Sequence, residues 1–238
     1  MNKLKTRIIT NSILIILVAV VFTFTIIPSN SIMIYGKDSN AVLYNGNRNS
    51  NEVSLMFNVY ENGDVVNGIL DLLKEKNVKA TFFIGGIFAS RECEVIKRIY
   101  EEGHELGNHG YFHKDHKKLT ESQNVDEILS THRLVKSITG IEMNLFAPPS
   151  GAYSKTTLKV AESLKYKTIM WSKDTIDWRD SDVKTIIKRA TENTVSGDLI
   201  LMHPKGHTLT ALSQIIETLS KKGLKMVTVS KCCQLESI

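Results

Sequence analysis

The stretch VSLMFNV (residues 53–59), followed by VVNGILDLLKEK (residues 65–76) and then KATFFI (residues 79–84), decides the fold. The first and last pieces are short and rich in β-branched and aromatic residues, which suits buried strands. The piece between them places Val65, Val66, Ile69, Leu70, Leu72 and Leu73 on one side of a 3.6-residue period, which predicts an amphipathic helix over Val65–Lys76. A strand, a helix and a strand in this order make a parallel crossover unit.

The same alternation continues outward to the C-terminus. Further strands are predicted at Leu145–Phe146, Lys167–Trp171, Asp198–Met202 and Met226–Val229. Helices are predicted at Glu94–Glu102, Ser122–Thr139, Lys155–Leu164, Lys184–Asn193 and Leu209–Lys222. Thr120 with Gln123 forms a capping-box pattern at the start of one of them. This is an α/β chain with a mainly parallel sheet. Its polar residues fall just after the strands, as they do where a barrel builds its site, and that favours a barrel over an open sheet.

Upstream of residue 52 the composition changes. Lys3, Lys5 and Arg7 precede an uncharged run from Ile8 to Ile27. Such a run, at a rise of about 1.5 Å per residue, covers about 30 Å, the thickness of a bilayer core. Cations on its N-terminal flank keep that end cytoplasmic. Residues 1–28 are therefore expected to be a single transmembrane anchor, 29–51 a polar linker and 52–238 an exported domain, secreted outright if the anchor is cleaved. The formal charge of +5 is spread along the chain without an aromatic-basic stripe, which argues against nucleic-acid binding. Cys93, Cys232 and Cys233 offer no metal-type pair, and a disulfide between the adjacent two would be strained.

The chemistry is concentrated in GHELGNHGYFH (residues 103–113). His109 and His113 are four apart, so on a helical turn both imidazoles would face one cation. Zinc takes about four ligands, so this is half a site, and such a pair alone is a weak signal. His104, Asp115 and His116 read as loop residues or caps. The other pieces are FAPPSGAY (residues 146–153), WSKDTIDW (residues 171–178) and LILMHP (residues 199–204).

In this order, over Glu52 to Ser230, the motifs resemble the polysaccharide deacetylase family, the NodB-homology carbohydrate esterases. The pairing of Phe57-Asn58-Val59 with the later motifs further resembles a sporulation-associated branch from spore-forming Firmicutes. The resemblance implies a distorted (β/α) barrel that removes N-acetyl groups from peptidoglycan or chitin-like cell-wall glycan with a divalent metal, zinc foremost. It implies His109 and His113 as metal ligands, His203 as the acid that protonates the leaving amine, and Asp174 as a supporting acid. Tyr153, Trp178 and Leu201 would line the acetyl or sugar pocket.

The departures are as informative. The family's first motif is Thr-Phe-Asp-Asp, and here Met56, Phe57, Asn58 and Val59 stand there. Asn58, at the base position, has an amide oxygen without useful basicity. Val59 cannot bind a metal, and the arginine that orients the base is Ala147. Three readings stand at this point: a metal-dependent amidase with a rearranged site, a non-catalytic glycan-binding or scaffold protein using the same groove, or a different metal-dependent chemistry on an unidentified substrate.

Overall fold

The computed structural model describes residues 42–235. The anchor expected over residues 1–28 lies outside them, and among the described residues no helix is long and apolar enough to cross a membrane. Eight strands form one parallel sheet: β1 (Glu52–Val59), β2 (Thr81–Ile84), β3 (Glu105–Asn108), β4 (Leu145–Phe146), β5 (Lys167–Thr168), β6 (Lys173–Asp174), β7 (Leu199–Met202) and β8 (Lys225–Val227). Their order is β5-β4-β3-β2-β1-β7-β6, with β8 paired to the start of β1. β5 and β6 are the two edges and do not pair, so the expected barrel is incomplete there. Leu43 lies beside Ile169 and Asn45 beside Asp198, so residues 43–45 run across that edge. The end of the expected linker is thus part of the domain.

Strand alternation sorts β1 into two cores. Val53, Leu55, Phe57 and Val59 face the outer cluster, packed under the helices. Met56 faces an inner cluster with Phe83, Leu145, Ala147, Ile169 and Leu201. The outer cover is α1 (Gly63–Glu75), α2 (Gly86–Arg91), α3 (Cys93–Glu101), α4 (Glu121–Thr139), α5 (Lys155–Ser163), α6 (Val183–Thr191) and α7 (Gly206–Lys221), and α8 (Val229–Cys232) closes the described chain. The capping box at Thr120 and Gln123 is formed. Burying side chains such as Phe57 and Phe82, whose rings stack at 5.1 Å in the outer cluster, stabilises by about 1.5–3 kcal/mol each.

Four local expectations change. Residues 105–108 are a strand, β3, and Gly107 is what lets it lie beside β2. A Cβ there would stand 2.4 Å from the Phe83 ring. β6 and α2 also appear where no element was expected. The last strand stops at Val227, because Thr228 caps α8 by accepting from the Lys231 amide.

Candidate active site

The residues singled out by sequence collect at the C-terminal ends of the strands, on the loops that follow β1, β3, β4, β6 and β7. His109 comes directly after β3 and is wholly buried. Its Nδ1–H donates to Ala147 O at 2.7 Å, so the lone pair sits on Nε2, which has no partner among the described residues. Burial foremost, then the neighbouring His113, pushes its pKa well below the ordinary range. The ring is therefore neutral and in the tautomer a metal ligand needs.

His113 lies with its ring centroid 5.2 Å from that of His109. The two do not share a helical turn. Gly110 and His113 both adopt positive φ, at 70° and 56°, and bend the chain so that the rings converge. The loop is held by Glu127 of α4, whose Oε2 accepts from the Tyr111 and Phe112 amides at 2.8 Å each. The Gly86 and Ile87 amides of α2 donate to Gly110 O and Tyr111 O. Burial also lowers the pKa of His113. Asp115 is a cap, as expected, accepting from the Lys117 amide, while His116 is buried with its Nδ1 against Asn124 Oδ1 at 2.8 Å.

On the other side of the cleft, His203 follows β7. Its Nδ1–H donates to Asp177 Oδ1 at 2.8 Å and its amide to Asp177 Oδ2 at 2.7 Å. Thr208 Oγ1 adds a third bond to the same carboxylate at 2.7 Å. Asp177, not Asp174, is thus the acid that supports His203. Asp174 Oδ1 instead accepts from the Ile176 amide at 2.8 Å, a local turn that carries Ile176 at a φ of 55°. Sequence reading missed Asp177 because two aspartates three apart cannot be told apart without the turn between them.

The pocket residues divide. Tyr153 bonds through its hydroxyl to Tyr44 at 2.8 Å, and Trp178 is 53% exposed at the rim. Leu201 is 2% exposed and belongs to the inner core. Tyr60, not anticipated, lies against His113 and near His203.

Asn58 is buried and its Oδ1 has no partner among the described residues. Val59 is turned into the outer core. Among the described residues no three His, Cys, Asp or Glu side chains are grouped to hold a metal. Two imidazoles and a neutral amide do not fit a zinc site of three protein ligands and an open position. The cleft therefore has a hydrogen-bonded pair, His203 with Asp177, on one side and two converging histidines, His109 and His113, on the other.

The model of the family described as polysaccharide deacetylase matches residues 45–169. The chain is 32% identical over 189 residues to the protein YlxY of Bacillus subtilis, covering 79% of this chain and 59% of that one. It is 35% identical over 199 residues to a peptidoglycan-N-acetylglucosamine deacetylase of Bacillus cereus, covering 82% and 72%. Among solved structures it is similar to BA3943 of Bacillus anthracis, a CE4 family pseudoenzyme, with a TM-score of 0.79, 32% identity and coverage of 82% and 69%. A mutant of that protein is described as having restored enzymatic activity. The fold, the ordered motifs and these likenesses agree: the chain belongs to the polysaccharide deacetylase family.

Proposed function

We propose that this chain is a cell-wall glycan-binding protein on a deacetylase frame, and that it does not remove N-acetyl groups at the rate of catalytic relatives. The observation that carries the proposal is Asn58: an amide with a buried, unpaired carbonyl stands at the base position. Loss of a general base costs about 10²–10⁴ in rate. With Val59 facing the outer core, the cleft also has no third metal ligand among the described residues. The likeness to peptidoglycan deacetylases supports peptidoglycan as the glycan, and the likeness to a pseudoenzyme supports the loss of turnover. The uncharged run from Ile8 to Ile27 supports membrane attachment with the domain on the extracytoplasmic side. A role in sporulation rests on the motif resemblance.

A second reading, a slow zinc-dependent amidase, is favoured by the intact His203–Asp177 pair and the tautomer of His109. Co-sedimentation with purified peptidoglycan, together with acetate release from it, separates the two. Binding without acetate supports the first reading. Acetate release that disappears in His203→Ala supports the second, and neither binding nor release removes both.

A further inference from the structure

Tyr60 is the first residue beyond β1, and the motifs assign it no task. Its ring centroid lies 4.5 Å from that of His113 and 6.5 Å from that of His203, edge-on to the latter. The phenol is thus in contact with the less buried member of the histidine pair. The loop that carries it is pinned on its far side. Asn62 Nδ2 donates to Pro204 O at 3.0 Å, and Lys205 pairs with Glu61. Both partners sit on the loop directly after His203, so the loops following β1 and β7 are clasped across the cleft. That clasp fixes the backbone from which the ring projects.

We infer that Tyr60 is a built-in cover over the His109–His113 pair, and that with the missing carboxylate it keeps divalent cations out of the cleft. A cation shared by two imidazoles needs its remaining directions open to water or substrate. A ring packed on His113 takes part of that space and, as a neutral phenol, supplies no ligand charge in return. The inference rests on the cleft being of deacetylase type, but its readout is the metal alone. Failure of glycan binding would count only against the glycan reading.

The test uses the full chain with cobalt(II) as the probe, read by its visible absorption. Tyr60→Gly is expected to bind cobalt about fivefold more tightly than the wild type, the scale of one aromatic contact. Tyr60→Phe, which keeps the ring, should stay with the wild type, and adding His109→Ala to Tyr60→Gly should abolish the gain. Equal affinity of Tyr60→Gly and wild type overturns the inference, as does a Tyr60→Phe variant that matches Tyr60→Gly. If Tyr60→Gly unfolds, the His113 ring protons of the wild type decide. A ring-current shift that Tyr60→Ala relieves supports the cover, and no such shift overturns it.

Discussion

The two sides of the cleft have fared differently. On the β6–β7 side, Asp177 accepts three hydrogen bonds, two of them from His203, and the imidazole is fixed in tautomer and direction. On the β1–β3 side, His109 is oriented equally well, yet Asn58 and His109 each carry a buried polar atom with no partner among the described residues. The difference teaches that orientation of a ligand and completion of a site are separate matters. Ala147 O still aims His109, because any residue supplies a backbone carbonyl. A base and a third ligand would have to come from side chains, and neither Asn58 nor Val59 can supply one.

The sharpest way to break the comparison is to rebuild the defective side. Asn58→Asp combined with Tyr60→Gly puts a carboxylate where a buried amide oxygen stands and removes the ring packed on His113, and acetate release from peptidoglycan supplied with zinc should rise by about 10²-fold or more. No rise would mean that something beyond the missing carboxylate and the Tyr60 ring holds the site inactive. Damage to the intact side should be a matter of stability. Asp177→Asn leaves His203 and Thr208 competing for one amide oxygen, with an estimated loss of about 1–3 kcal/mol in urea unfolding.

The third prediction concerns pH. His109 and His116 near the cleft are held neutral chiefly by burial, and so is His104 at the opposite, N-terminal end of β3, which is pushed down to about 4 from an ordinary 6.5, with the Lys79 charge adding to the effect. An unfolded chain takes up this proton below about 6.5 and the folded chain only near 4. The associated stability is whole above about 6.5 and is lost as pH falls towards 4. Unfolding free energies measured across that window should decline with acid, and less steeply in His104→Gln. The smallest effect belongs to the rim. Trp178→Ala should change stability by less than about 0.5 kcal/mol, since the ring is exposed, while weakening co-sedimentation with peptidoglycan.

Much of this frame was legible in the sequence where side-chain chemistry speaks locally. β1 and β2 announce themselves through Val53, Leu55, Phe82 and Phe83, and the helices through their apolar period. β3 did not, because Glu105-Leu106-Gly107-Asn108 lacks β-branched residues, and its glycine answers to Phe83 on the next strand. The two histidines and the buried amide at Asn58 lie at positions that motif order singles out. Asp177 was not separable from Asp174, since the choice turns on the positive φ of Ile176. Tyr44 was hidden in a segment that reads as linker and is tied to the domain by long-range pairing.

His109 and His113, without a third ligand among the described residues, are expected not to form a tight metal site. Calorimetric titration of zinc into the metal-free full chain, with His109→Ala as control, tests this most directly. Weak binding is expected, with at most a small difference between wild type and variant. One tight site per chain, abolished in His109→Ala, would contradict that expectation and would require a third ligand that this cleft does not present.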